Sequence, residues 1–372
     1  MENHQQGRPT IAEIDCRALA GNYAELVRVA GPGTAVLAVV KSEAYGHGLC
    51  LAARVLREAG ADRFAVATTR EGLDLRAAGI HGSVVVLGGV YPAEYADVVR
   101  ARLTPVVWDV ETARALAQSA RAAGRVVALH VKVDTGMSRL GVATAEVPEL
   151  LRHLALLDGV TVEGLLTHLS NAESVEGAET ACQLASFAEL VRALEAARLR
   201  PATVHAANSA ATLTAPDARF DMVRPGLALY GVYPSAHMRD VARLRPVMRF
   251  VTRIIAVHQV PTGNGVSYGG TFVATKPSRI ATIPVGYADG YPRALSNRGV
   301  VVVRGARAPI AGRVCMDQTM IDVTAIAEAA VGDEVLLWGG DPLPVDEVAL
   351  CADTIAYELM ARIGARVPRV AA

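Results

Sequence analysis

The sequence predicts a (β/α)8 TIM-like barrel, an α/β fold, followed by a mostly antiparallel β-domain. From residue 11 to about residue 230, short apolar runs alternate with alanine-rich amphipathic segments. After about residue 236, β-branched runs are separated by Gly, Pro and Asn, and the 372 residues exceed what one hydrophobic core usually reaches. We therefore assign residues 11–240 to the barrel and residues 241–372 to the β-rich domain, which the N-terminal segment 1–10 can join.

The first half contains eight short apolar runs that predict barrel strands. These are residues 35–40, 64–67, 84–87, 105–107, 127–133, 162–168, 203–207 and 222–223. Helical stretches are predicted between them, for example at 49–59, 71–78, 110–123 and 177–198. In the last of these, apolar residues recur at helical spacing. Eight such units fit a closed barrel better than an open doubly wound sheet.

The second half is dominated by strand signals. Apolar and β-branched runs occur at 247–260, 279–284, 299–303, 308–322 and 333–338, and helices are predicted only at 345–352 and 354–363. Runs of this kind, bounded by turn residues, are typical of an antiparallel domain.

Composition narrows the class of protein. The formal net charge is zero and the pI is about 7.1, so no electrostatic footprint for nucleic acid or an anionic membrane is expected. The five cysteines form no C-x-x-C pair and the nine histidines form no H-E-x-x-H cluster, which argues against a disulfide framework and against a metal site. The polar N-terminus lacks the apolar core of a signal peptide. We expect a cytoplasmic enzyme that does not bind membranes.

Lys41 is the most informative single residue, because the chain has only three lysines, Lys41, Lys132 and Lys276. It ends the apolar run 35–40 and precedes a glycine-containing turn. A desolvated lysine can lose its proton and attack a carbonyl, whereas an arginine stays protonated. The local pattern equally fits a strand-end lysine that extends to solvent.

Other polar residues are predicted at the same rim, because the chemistry of such barrels lies at the carboxyl ends of the strands. His168 alone could be a core histidine, and Asn208 or Ser209 could be a helix N-cap. The loops after strands seven and eight often bind phosphate. A phosphate site beside a strand-end lysine indicates pyridoxal 5′-phosphate. The rim residues are Lys41, Tyr45, Arg139, His168, Asn208, Ser209, Arg224 and Gly226.

The chain resembles the alanine racemases, which are fold-type-III pyridoxal-phosphate enzymes, from about residue 11 to Arg369. The resemblance rests on the order of many motifs rather than on one of them. The matching segments are 38–41 with 44–48, 134–137 with 139–141, 208–209, 224–226 with 229–231, 266–269, 286–291, 316–317 and 366–369. The chain departs at Ser42-Glu43, where the family usually has alanine followed by asparagine or aspartate.

The resemblance implies a role for each matched residue. Lys41 would hold the cofactor and act as the base on one face of the substrate α-carbon, and Tyr268 of a partner subunit would act on the other face. Arg224 would contact the pyridine nitrogen, and Lys132 matches a position that is often carbamylated. The implied cofactor-binding residues are Lys41, Tyr45, His168, Asn208, Ser209, Arg224, Gly226, Leu227 and Tyr357, and the implied substrate-binding residues are Arg139, Met316 and Asp317.

The implied function is racemisation of L- and D-alanine in a homodimer with shared active sites, supplying D-alanine as a peptidoglycan precursor. Racemases of serine or of another small amino acid share this framework. An amino-acid decarboxylase of the same fold type is a further alternative, and so is a non-catalytic cofactor-binding protein. Tyr268 favours a racemase, because only a racemase needs a second base on the opposite face.

Overall fold

The computed structural model describes residues 7–174 and 176–372. Contacts divide them into two units, one comprising residues 19–44 and 49–244, the other residues 7–18, 45–48 and 245–372. The boundary predicted at residue 240 stays a prediction, and so does the attachment of segment 1–10, of which residues 1–6 lie outside the described chain. Within the described residues, no helix is both long enough and apolar enough to span a membrane.

The larger unit is a barrel of eight parallel strands, which confirms the predicted fold class. The strands, numbered one to eight here, are Ala35–Val36 with Ala38–Val39, Arg63–Val66, Ser83–Val86, Thr104–Val107, Val127–Asp134, Val160–Leu166, Thr203–His205 and Met222–Val223. Consecutive strands from one to seven pair in parallel, and strand eight pairs in parallel with strand one. Backbone hydrogen bonds from Asp221 N to Val204 O (3.0 Å) and from Arg224 N to Ala207 O (2.8 Å) close the ring between strands seven and eight.

Helices follow barrel strands one to seven as the alternating pattern predicts, and a further helix, Cys16–Ala30, precedes strand one. Those that follow strands are Leu49–Glu58, Thr69–Ala77, Tyr95–Arg100, Val110–Ala122, Val147–Ala155, Ala178–Ala196 and Ser209–Thr214. Their apolar faces are buried, as in Val110–Ala122, where Leu116 and Ala120 are fully buried. A short strand, Val142–Ala143, pairs with the end of strand five.

The smaller unit is built on a six-stranded sheet. The order across it is Ala306–Pro309, Val300–Val303, Glu334–Trp338, Met248–Arg253, Ile11–Ile14 and Arg369–Ala371, all antiparallel except the last pair. A three-stranded antiparallel sheet contains Ala256–Val260, Ser278–Ile283 and Thr319–Asp322, and Gly265–Val266 pairs with Phe272–Val273. Two helices follow, Val345–Cys351 and Ala356–Ala361.

Three details of this unit differ from the prediction. Residues 11–14 form a strand of its sheet rather than of the barrel. The predicted run 247–260 is two strands in different sheets, and the predicted run 308–322 is also divided between two strands. An apolar run specifies burial but not the partner strand, which is chosen by contacts between distant parts of the chain.

Candidate active site

Lys41 follows barrel strand one and begins an unusual turn. Ser42, Glu43 and Ala44 have φ of 53°, 55° and 52°, and Tyr45 has φ of 54°. Four consecutive residues with a Cβ are therefore left-handed, a conformation that costs roughly 1–2 kcal/mol per residue. The side chain of Lys41 is half-buried at the carboxyl end of its strand, where the sequence placed it.

Two carboxylates hold this turn. Ser42 donates its backbone N–H to Glu71 Oε1 (2.6 Å), and Glu71 also caps the helix Thr69–Ala77. Glu43 Oε2 accepts a hydrogen bond from Leu49 N (3.1 Å) at the start of the helix Leu49–Glu58. The departure from the usual family residues at Glu43 thus has a structural role, because its longer side chain reaches the next helix.

The environment of Lys41 favours its neutral amine. Burial lowers the pKa of Lys41, the positive charge of Arg139 lowers it further, and Glu71 partly opposes the shift. A lysine with a lowered pKa can act as a nucleophile or accept a proton nearer neutral pH.

Arg224 follows barrel strand eight and is buried, with 4% of its surface exposed. Its Nη1 donates to His205 Nδ1 (3.1 Å), and its Nη2 lies near His168 Nδ1 (3.2 Å) and the carbonyl oxygen of Thr167 (2.7 Å). Burial lowers the pKa of Arg224 to about 9. In the described part of the chain no carboxylate forms an ion pair with it, and no residue accepts a hydrogen bond from its Nε–H.

Ser209 links the loops after strands seven and eight. Its Oγ accepts hydrogen bonds from Gly226 N (2.8 Å) and from Ala228 N (3.2 Å). Asn208 is the N-cap of the helix Ser209–Thr214, and its Oδ1 accepts from Ala211 N (3.0 Å). The helix N-cap predicted as one possibility for Asn208 or Ser209 is therefore formed by Asn208, and phosphate binding at these loops stays a prediction.

Lys132, on strand five, is 8% exposed. Burial lowers the pKa of Lys132, the positive charges of Arg224 and Arg139 lower it further, and Asp134 opposes the shift, so that the net pKa is about 7. Asp134 itself accepts hydrogen bonds from Gly136 N (2.9 Å) and Ser138 N (3.1 Å). A substantial fraction of this lysine is therefore uncharged near neutral pH.

The pKa of His168 is affected by charged residues from several barrel strands. Burial lowers its pKa first, followed by the positive charges of Arg224, Lys132, Arg139 and Lys41. Charged residues on or just after strands one, five and eight thus lower the pKa of His168, which follows strand six. Arg224 and Arg139 carry positive charge at the mouth of the barrel, which suits an anionic ligand.

The smaller unit contains the other predicted residues. The rings of Tyr45 and Tyr357 lie 6.0 Å apart, and burial together with Tyr357 raises the pKa of Tyr45. Tyr268 lies in the short turn Tyr268–Gly270 and is 72% exposed, and Met316 is 53% exposed. Asp317 Oδ1 accepts a hydrogen bond from Arg366 Nη2 (2.6 Å).

A buried carboxylate, Asp289, binds the same arginine, Arg366, that donates to Asp317. Asp289 is fully buried and accepts hydrogen bonds from Arg8 Nη2 (2.6 Å) and Arg366 Nε (2.7 Å). Burial alone would raise the pKa of Asp289, but the bonds from the two arginines and from Gly286 N give a net lowering.

The sequence analysis assigned no role to Glu71, His130, His205 or Asp289, although Asp289 lies within the matching segment 286–291. A signal existed for His130 and His205, because each is a histidine within a mostly apolar run that predicts a barrel strand. Glu71 and Asp289 act on residues distant in sequence, which no local pattern reveals. In the chain outside residues 1–6 and 175, no group of three or more His, Cys, Asp or Glu could hold a metal.

Comparison with known proteins places these observations in a family. A family model described as alanine racemase, N-terminal domain, matches residues 14–234, and one described as alanine racemase, C-terminal domain, matches residues 247–371. The curated alanine racemase of Halothermothrix orenii is 43% identical over 370 residues, covering 99% of this chain and 98% of its own length.

Solved structures give the same result. Alanine racemase from Clostridium difficile 630 is 35% identical with a TM-score of 0.93, covering 98% of this chain and 95% of that chain. A complex of alanine racemase from the same organism with cycloserine is 33% identical with a TM-score of 0.88, covering 98% of this chain and 95% of that chain.

Proposed function

This chain belongs to the alanine racemase family and is an amino-acid racemase, and we propose that it interconverts L- and D-alanine using pyridoxal 5′-phosphate. The cofactor assignment is supported by three side chains at the mouth of the barrel. A lysine with a lowered pKa, a buried arginine and a hydroxyl bonded to loop amides follow strands one, eight and seven of one barrel.

The donor groups fit the proposed cofactor. The Nε–H of Arg224, which has no acceptor in the described chain, would be available to the pyridine nitrogen, and His168 would line the ring. Because an arginine does not readily give up a proton, the ring would remain a weaker electron sink than one whose nitrogen is paired with a carboxylate. This favours prompt return of the α-proton.

The phosphate would be held at the loops after strands seven and eight. The Oγ of Ser209 already accepts two backbone N–H groups, so its own proton is directed elsewhere and can be donated to an anion. We propose that Tyr45, Asn208, Ser209, the backbone of Gly226 and Leu227, and Tyr357 border this group.

When bound, pyridoxal phosphate delocalises the charge left on the substrate α-carbon after a proton is removed. Lys41 would hold the cofactor through its amine and then exchange a proton on one face of that carbon. Its lowered pKa supports this role, since the amine must be uncharged to accept a proton.

Tyr268 would exchange the proton on the opposite face. Its 72% exposure supports a role in the active site of a second copy, and we propose a homodimer with shared active sites. Met316 and Asp317 would be contributed in the same way.

Alanine is proposed as the substrate, with its carboxylate near Arg139. The complex of a family member with cycloserine supports a small amino-acid-like ligand. The alternative is a racemase of serine or another small amino acid. One extra group changes discrimination by only about 1–3 kcal/mol, so weaker turnover of serine is expected. We place the reaction in the cytoplasm, where it would supply D-alanine as a peptidoglycan precursor.

Borohydride reduction tests the cofactor assignment. The protein is incubated with pyridoxal phosphate, reduced, digested and mapped by mass spectrometry. We expect the adduct on the peptide containing Lys41. Lys276, which is exposed, is the internal control for surface labelling. An adduct confined to Lys132 or Lys276 would refute the assignment.

A further inference from the structure

Two buried histidines extend the hydrogen bonds of Arg224 into the barrel. His205, on strand seven, is fully buried, and His130, on strand five, is 3% exposed. Arg224 Nη1 lies 3.1 Å from His205 Nδ1, and His205 Nε2 lies 3.0 Å from His130 Nδ1. The three side chains therefore form a continuous row.

The donors and acceptors available on arginine and histidine determine which atom donates in each hydrogen bond of this row. A guanidinium has only donors, so His205 Nδ1 must accept and its proton must lie on Nε2. His205 Nε2 then donates to His130 Nδ1, which must also accept. Both imidazoles are consequently neutral, each with its proton on Nε2.

We propose that His130 is a positioning residue that fixes Arg224 through His205, and that Arg224 is thereby held with its Nε–H directed to the cofactor ring. The second part of this proposal depends on the proposed function, whereas the row of hydrogen bonds does not. Arg224 has no carboxylate partner in the described chain, so neutral acceptors alone determine the orientation of its guanidinium.

The local backbone provides space for His130. A Cβ added at Gly164, on the neighbouring strand six, would lie 2.5 Å from the His130 ring. The pairing of strands five and six also shifts register between Leu129 and His130, where His130 comes opposite Gly164. A glycine and a register shift at the same position allow the imidazole to fit between the strands.

The tautomers test the first part directly. In the full-length chain without cofactor, labelled with ¹⁵N-histidine, His130 and His205 should both show the Nε2–H pattern at neutral pH. Observation of either as a cation or as the Nδ1–H form would overturn the proposal. This measurement does not involve racemisation, so it can fail or succeed independently of the proposed function.

Matched variants test the positioning role. H130N keeps an acceptor near the Nδ1 position, whereas H130L removes it with a side chain of similar size. In H130L the buried N–H of His205 loses its acceptor, so we expect altered ¹⁵N signals from His205 and the Arg224 guanidinium. Affinity for pyridoxal phosphate, measured by absorbance, should fall about tenfold in H130L and less than about twofold in H130N.

Gly164→Ala provides an independent way to move the same ring. G164A alone should give the same altered ¹⁵N signals and the same loss of affinity for pyridoxal phosphate as H130L. In the double variant with H130L, it should lower the affinity little further. Leu116→Ala, a buried truncation in the helix Val110–Ala122, controls for general destabilisation and should leave the Arg224 signals unchanged. The proposal would be overturned if H130L and H130N gave identical Arg224 signals. It would also be overturned if G164A left the Arg224 signals and the affinity for pyridoxal phosphate unchanged, so one poorly folded variant does not prevent a decision.

Discussion

At the scale of the residue, proton exchange should show which enantiomer each of Lys41 and Tyr268 deprotonates. Overall rates of racemisation cannot show this. L- and D-alanine have equal energies, so every variant must keep the same ratio of kcat/KM in the two directions. In Tyr268→Phe, we expect Lys41 still to exchange the α-proton of D-alanine with heavy water, while conversion to L-alanine nearly stops. Proton NMR of each enantiomer measures this. Equal exchange from both enantiomers would mean that Tyr268 is not a dedicated base.

Lys132 is expected to be carbamylated. Carbon dioxide reacts with the neutral amine, and a pKa of about 7 makes that form abundant at a pH where most lysines are charged. With ¹³C-bicarbonate, a carbamate carbon signal should increase as the pH rises through about 7. Lys132→Ala should abolish it, and Lys276→Ala should not. A signal that persists in Lys132→Ala would assign the modification to another amine.

At the scale of the element, the left-handed turn after Lys41 should be intrinsically strained. Ser42→Gly removes the steric cost of φ 53° and should raise the free energy of unfolding by about 1 kcal/mol. Ser119→Gly, inside the helix Val110–Ala122, should instead lower it by about 0.5 kcal/mol. Urea unfolding measures both. If both glycine substitutions changed the free energy of unfolding in the same direction and by the same amount, the turn would not be strained.

The buried Asp289 should stabilise the turn 286–291 most strongly when it is charged. Its pKa is lowered in the folded state, so its contribution is present above the ordinary aspartate pKa and is lost as the pH falls through the folded value. Asp289→Asn should lower the free energy of unfolding at neutral pH by about 2 kcal/mol. The difference from the wild type should shrink below about pH 4. Asp353→Asn, at an exposed ion pair with Arg298, is the control and should change little.

At the scale of the whole molecule, the proposed shared site predicts complementation. Lys41→Ala and Tyr268→Phe homodimers should each be nearly inactive, because every site lacks one base. In a mixed dimer, one site carries both defects and the other carries neither. The two variants, refolded together and purified through two different affinity tags, should therefore regain up to about one working site per dimer. An inactive mixed dimer would refute the shared site.

The sequence by itself determined the fold class and the position of Lys41. Alternation of apolar runs with amphipathic helices is a local pattern, and each strand buries the residues that its own hydrophobicity specifies. Lys41 and Arg224 follow barrel strands one and eight, so their common rim follows from the parallel arrangement of the strands.

Only the tertiary structure decided which distant residues meet. Residues 11–14 have no local signal for their partners, Met248–Arg253 and Arg369–Ala371. The left-handed turn depends on Glu71, and the row from Arg224 to His130 joins residues from three strands. The turn and the row depend on hydrogen bonds across 19 to 75 positions of sequence. A local pattern specifies which residues are buried, but not the donor or acceptor that each buried polar group requires.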